Sequence, residues 1–254
     1  MTHRSMDAFY ADPGEEKRWG DDMAECGLYP TEEALLSRHV PVGARVLNIG
    51  CGGGREALAM ARTGRTVTAV DLNRVFVEAL ARRAAEAGLD IQCRVLDALE
   101  LDFPPASFDA VVMVGQLIGH IRGRQNRITA LRRAFEVVRP YGVGVFSTNA
   151  IEVHWLYRAY FLWANTSRKI YNPMDLEPDD AFVFRVGGRR RGLFGSGDSP
   201  VFHWYRAADF RDDLRAAGWT PKHWLRRGEF ERMNDVDARR GGQETFHLAI
   251  RETT

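Results

Sequence analysis

The chain has 254 residues, 45% of them hydrophobic, and its 35 Lys and Arg are balanced by 34 Asp and Glu, leaving a net charge of +1. That length and apolar content suit one large globular domain or two small ones, and the near-neutral balance excludes a global field that would recruit nucleic acid or an anionic membrane. Cys26, Cys51 and Cys93 are too scattered for a disulfide frame or a zinc site, so no metal is expected. No stretch reaches the roughly 18 apolar residues of a membrane span, and the opening "MTHRSMDAFYADPGEE" lacks the apolar core of a signal peptide. A soluble, cytoplasmic protein is expected.

Residues 1–39 read as one or two helical stretches broken at Pro13-Gly14 and Pro30, a cover over one sheet edge. From 40 to 150, short β-branched runs alternate with Ala-, Leu- and Arg-rich stretches of helical period, the pattern of βαβ units in a parallel sheet. Strands are predicted over 45–50, 66–72, 91–98, 108–115 and 142–149, with helices in "REALAMART", "VFVEALARRAAEAG" and "RITALRRAFEVVRP". Residues 151–206 break that rhythm with aromatics, arginines and glycines and read as an insertion covering the substrate. "AADFRDDLRAAG" restores a helix, and "PKHWLRRG" and "ETFHLAIRE" predict closing strands. The whole is expected to be one domain.

"VLNIGCGGGREALAMA" joins the first strand to the first long helix. A strand that ends in glycines and feeds a helix offers backbone N–H groups and the positive end of the helix dipole to a ligand above the sheet. Gly50, Gly52 and Gly54 are expected to let that ligand approach where a Cβ would collide; the alternative is that they serve only the turn. Asp71 ends the second strand about twenty residues on, the distance at which an acid reaches a ribose diol. Asp97 ends the third strand, where it can accept from an adenine amino group, and Ala98 leaves room for the ring. Each acid alone is also a plausible helix cap. The dinucleotide pattern G-x-G-x-x-G fails at Arg55, Ala57 and Leu58, and no Gly-Lys-Ser/Thr follows the glycines, so a nucleoside without phosphates is favoured.

"VLNIGCGGG", "TAVDL", "VLDALELDFPPASFDAVVMVG" and "RRAFEVVRPYGVGVFST" resemble, in order and separation, the motifs of class I S-adenosylmethionine-dependent methyltransferases over about residues 40–150. The resemblance implies an α/β fold, a Rossmann-like, mostly parallel seven-stranded sheet with helices on both faces and an antiparallel last strand. It implies S-adenosylmethionine as cofactor and S-adenosylhomocysteine as product. Gly50, Cys51 and Gly52 would pass under the methionine part, Asp71 and Leu72 would meet the ribose, and Asp97 and Ala98 the adenine. Val114, Gly115 and Gln116 would line the place where the methyl is delivered. The family usually carries an acid where this chain has Asn48, whose amide can hydrogen-bond the cofactor but brings no charge.

Pocket candidates come from three further places. In "FYADPGEEKRW", Tyr10 and Trp19 are candidates to face the substrate, and Arg18 to hold the cofactor's carboxylate. In "VGQLIGHI", Gln116 is a substrate candidate and His120 a candidate general base. In the insertion, "VHWLYRAYFLW" sets His154, Tyr157 and Phe161 on one helical face, either a lid packed on the core or an aromatic wall of the pocket. "VFHWY" puts His203 and Tyr205 on one strand face with Trp204 opposite. "RVGGRRRG" (185–192) reads as a solvated hairpin tip, or as a contact for an anion or RNA. The expected activity is methyl transfer to a small, partly apolar or ring-bearing metabolite, of the kind met in secondary metabolism. Methylation of tRNA or another macromolecule, and cofactor binding without transfer, are the alternatives. The acceptor atom and the oligomeric state stay open.

Overall fold

The computed structural model describes residues 9–10, 14, 17–22, 24–172, 174–182, 185–186, 189–190, 201–227 and 244–252. The first long helix, α1 (Pro30–His39), starts on Pro30 rather than breaking there, because proline's fixed φ and missing N–H suit the first helical position. Its Glu32 carboxylate accepts the Tyr29 N–H at 2.8 Å. Leu36 and Val40 bury this helix on the face of the sheet rather than at an edge.

Strand β1 (Arg45–Ile49) leads through the glycine turn into α2 (Arg55–Arg62). Then come β2 (Thr66–Asp71), α3 (Arg74–Glu86), β3 (Ile91–Val95) and β4 (Phe108–Met113). Asn73 caps α3, its side chain accepting from the Val75 N–H at 2.9 Å. The four-residue helix α4 (Leu117–His120) precedes α5 (Arg124–Val137) and the long β5 (Val138–Asn149). The strands at β3 and β4 end earlier than their apolar runs suggest, so Asp97, Ala98, Val114 and Gly115 stand in the turns beyond them. Helix α5 conversely stops at Val137, and 138–140 open β5.

The insertion holds α6 (Trp155–Arg168) and β6 (Asp180–Phe182), and a small hairpin pairs β7 (Arg185–Val186) with β8 (Arg189–Arg190). β9 (Val201–His203) pairs antiparallel with β6. Of the arginine-rich 185–192 run, 187–188 and 191–192 lie outside the described residues, as do the side chains of the rest. The chain closes with α7 (Ala207–Ala216), β10 (Thr220–Arg226) and β11 (Glu244–Ile250).

Seven strands form one sheet in the order β10-β11-β5-β4-β1-β2-β3. β11 runs antiparallel to both neighbours and every other pairing is parallel. One core layer packs α5 and α7 under Leu47, Val111, Phe146, Phe210 and Trp219. The other packs α1, α2 and α3 against Val46, Val67, Val112 and Phe246. The chain reverses direction across the sheet between β1 and β4, the point at which ligands sit outside the carboxyl ends of parallel strands. No helix among the described residues is long and apolar enough to cross a membrane.

Candidate functional site

A cavity of about 530 Å³ opens over that reversal point, a size typical of small-molecule sites. Of the residues singled out from sequence, Tyr10, Trp19, Gly50, Cys51, Gly52, Asp71, Leu72, Asp97, Ala98, Val114, Gly115, Gln116 and His120 line it.

The glycine turn is built differently from expectation. A Cβ on Gly50 would stand 2.5 Å from Leu117 Cδ2, and one on Gly54 2.2 Å from Leu80 Cδ1. The space vacated by these two Cβ atoms is therefore filled by the protein, not left for a ligand. Gly52 alone of the three faces open space, with nothing nearer than the Trp19 carbonyl oxygen at 3.7 Å. Its N–H donates to Asp71 Oδ2 at 2.9 Å, and Asp71 Oδ1 accepts from the Asn73 N–H at 2.9 Å. Burial raises the Asp71 pKa, and these hydrogen bonds pull it back down. Asp97 similarly accepts from the Leu99 N–H at 2.9 Å. Burial pushes the Cys51 thiol well above its ordinary range, so it stays neutral.

His120 stands on the opposite wall. Its ring stacks on Phe202 at 4.2 Å, and its Nδ1 lies 3.0 Å from Tyr10 Oη. Burial lowers its pKa to about 3, so the imidazole is neutral at physiological pH. It is held there because α4 comes against β9 at Gly119, where a Cβ would stand 2.6 Å from the His203 carbonyl oxygen. Gln116 precedes the helix with a φ of +62°, a strained conformation for a non-glycine. Its N–H donates to Ser147 Oγ at 3.3 Å.

Besides Gly54, seven expected site residues do not line the cavity. Asn48 lies inside the α2 face of the sheet, donating to the Val112 carbonyl at 3.3 Å, because the strand's alternation turns position 48 away from the turn. Arg18 is exposed and covers the Trp19 ring at 5.1 Å. His154 caps α6 in solvent, accepting from the Leu156 N–H at 3.2 Å. Tyr157 and Phe161 pack with Trp204, Ile151 and Ala181 in a separate small core. His203 is tied to Asp180 at 3.0 Å. Tyr205 is buried between Arg127, which donates to it at 2.9 Å, and Asp213, to which it donates at 3.1 Å. The same-face placement of His203 and Tyr205 holds, their rings meeting at 4.6 Å, but His203 turns to Asp180 of the insertion and Tyr205 into the main core.

Sequence reasoning passed over a second wall made by Tyr29, Arg55, Glu56, Asn149, Arg227 and Glu244. Arg55 binds both Glu32 oxygens and Glu56. Arg227 stacks on the Tyr29 ring at 3.5 Å and lies 3.4 Å from Glu244, which accepts the Ser147 hydroxyl at 2.5 Å. The charges within the apolar stretches "REALAMAR" and "ETFHLAI" were the available signal. A glutamate in a first helical turn or at a strand start is ordinary surface chemistry, so burial alone marks them.

The model of the family described as Methyltransferase domain matches residues 46–142. A protein named Ubiquinone biosynthesis O-methyltransferase from Caulobacter sp. (strain K31) is 31% identical over 176 residues, 66% of this chain and 68% of that protein. The chain spans about half the length of other curated relatives of that name, 44% and 47% in two cases. Among solved structures, a SAM-dependent methyltransferase from Methanosarcina mazei is similar with a TM-score of 0.69 at 19% identity, over 90% of this chain and 100% of that one. The 1,6-didemethyltoxoflavin-N1-methyltransferase of Burkholderia thailandensis, solved with 1,6-didemethyltoxoflavin and S-adenosylhomocysteine, is similar with a TM-score of 0.60 at 20% identity, over 93% and 81%. At those identities the structural likeness speaks for the fold.

Proposed function

The chain belongs to the class I S-adenosylmethionine-dependent methyltransferases, and from that premise we propose that it transfers a methyl group to a hydroxyl oxygen on a small, ring-bearing acceptor. The residues present fit the cofactor. Two carboxylates, Asp71 and Asp97, stand at successive strand ends, with apolar Leu72, Ala98 and Leu99 between and beside them. That is the chemistry of a diol contact and a purine slot. Asp71 would hold the ribose hydroxyls, Asp97 the adenine amino group, and Gly52 the open floor under the methionine part. The cofactor supplies an activated methyl on a sulfonium.

The remaining task falls to alignment, exclusion of water and removal of one proton. The observation that carries the oxygen-acceptor reading is the neutral imidazole of His120 in the cavity wall. Its low pKa makes it a weak base toward a free phenol. A hydroxyl that is becoming an ether, however, grows far more acidic than any imidazolium, so Nε2 can take the proton late in transfer. For Nε2 to be the acceptor, Nδ1 must carry its hydrogen and donate to Tyr10 Oη at 3.0 Å. Tyr10 can accept that hydrogen, its hydroxyl serving as donor or acceptor, and Phe202 fixes the ring plane. The name of the Caulobacter relative supports oxygen as the acceptor atom.

Incubation with methyl-labelled cofactor and a panel of phenols and catechols tests the reading. Labelled methyl ethers are expected. Tight binding of S-adenosylhomocysteine with no labelled ether from any hydroxyl acceptor would count against it.

A further inference from the structure

We propose that the corner of the cavity bounded by Glu56, Asn149 and Glu244 receives a protonated amine. The methyltransferase reading enters only in naming the two sources of that amine, the methionyl ammonium group of the cofactor or an amino group on the acceptor.

Among the described residues, this wall together with Glu32, which packs behind it on Arg55, holds three buried carboxylates, Glu32, Glu56 and Glu244, against two buried guanidiniums, Arg55 and Arg227. The Arg55 fork is occupied by Glu32, Glu56 and the Gly27 carbonyl oxygen. Arg227 faces Glu244 and the Tyr29 ring. A buried surplus of negative charge is costly until a cation or a proton completes it. Glu244 accordingly sits at about 7, raised by burial and by Glu32 and lowered by Ser147, Arg227 and Arg55. Glu56 is raised as well, by burial and Glu32 against the pull of Arg55.

An independent observation points to the same ligand. Asn149 is 5% exposed and lines the cavity, and its Oδ1 is buried with no hydrogen-bond partner among the described residues. Such an atom calls for a donor. Asn149 is also the register partner of Glu244 across β5 and β11, so the orphaned acceptor and the carboxylate are neighbours. Acceptors of net negative charge, at least one unfilled, match an ammonium, which has three donors and no acceptor. Asn48 has no part in this, being neutral and turned away from the cavity.

The test is calorimetry on the full chain, with four probes. S-adenosylhomocysteine is compared with its analogue carrying hydrogen in place of the amino group, and tyramine is compared with 4-ethylphenol in the presence of S-adenosylhomocysteine. An amine preference of about tenfold or more is expected in one of the two pairs. It should collapse in Glu244→Gln and shrink in Asn149→Ala, with both variants checked for folding by thermal melting. Binding of the amine at pH 7 should also release protons as Glu244 ionises, read as an enthalpy that depends on the buffer. Preference in the first pair assigns the ammonium to the cofactor; preference in the second assigns it to the acceptor. No amine preference in either pair, or one that persists in both variants, overturns the proposal. If Glu244→Gln does not fold, Asn149→Ala decides alone. Failure of the wild-type chain to bind S-adenosylhomocysteine would instead sink the methyltransferase reading, and the tyramine pair on the ligand-free chain then decides the ammonium site.

Discussion

The two walls of the cavity are built on different scales of sequence. On the β1–β3 side the hydrogen bonds that set the two carboxylates are short-range: Gly52 to Asp71 spans 19 residues, and Asp71 to Asn73 and Asp97 to Leu99 span two. On the β5–β11 side Ser147 to Glu244 spans 97 residues, and at His120, after β4, the contact with Tyr10 spans 110. The first wall is a run of strand-end turns whose geometry each βα unit sets for itself. The second exists only because the antiparallel β11 inserts between β5 and β10 and brings a charged residue to the carboxyl edge of the parallel strands.

Four variants sharpen that contrast. The largest effect is expected far from both walls: Phe161→Ala should destabilise the insertion by about 3–5 kcal/mol, because this side chain fills the small core under α6. Denaturant melts read it, and a variant that keeps its stability while losing acceptor affinity would return Phe161 to the pocket. On the short-range wall, Asp71→Ala should weaken S-adenosylhomocysteine by roughly a hundredfold or more, since a charged acceptor for two hydroxyls is lost. Calorimetry measures this, and an effect within threefold would remove Asp71 from the ligand contacts.

On the long-range wall, His120→Gln should lower kcat by about a hundredfold while leaving S-adenosylhomocysteine affinity within threefold. Equal losses in both would make His120 a packing residue only. The smallest effect, taken over one pH unit, concerns stability against pH. Buried His247 has its pKa lowered to about 3, mainly by burial, against 6.5 when unfolded. Its neutral form thus favours the native state fully above pH 6.5, and that contribution is lost as pH falls from 6.5 toward 3. The raised pKa of Glu244 acts oppositely, eroding stability as pH rises from 4.5 to about 7. Glu244 is present in both proteins, so its effect cancels in a comparison of wild type with His247→Gln. Wild type should then lose up to about 1.4 kcal/mol per pH unit more than the variant below pH 6.5, read from denaturant midpoints. Parallel curves would show that His247 is not held neutral.

What could be read in the chain followed from periodicity. The β-branched runs and glycine stops located the five parallel strands of the first half to within a few residues. They also put Asp71 and Asp97 at one sheet edge, because βαβ units leave little freedom in where a strand ends. The same local logic failed where one-residue rotations matter. Asn48 looked like a strand-end ligand, yet the alternation of β1 turns it inward. Gly50 and Gly54 looked like openings for a ligand, yet Leu117 and Leu80 fill them. His154, Tyr157, Phe161, His203 and Tyr205 were aromatic and in phase, but phase gives the shared face of an element and not what that face meets.

By itself, then, the sequence determined the α/β architecture, the cofactor class and the acidic strand ends, through local turns and through motifs that follow one another in order over about residues 40–150. Only the tertiary structure decided which histidine reaches the cavity, and that Glu56, Glu244, Arg55 and Arg227 are interior rather than surface charges. The physical reason is that burial is a property of the assembled sheet. A glutamate at a helix start or strand start reads identically in water and in the core, until the strand that closes the sheet removes the water.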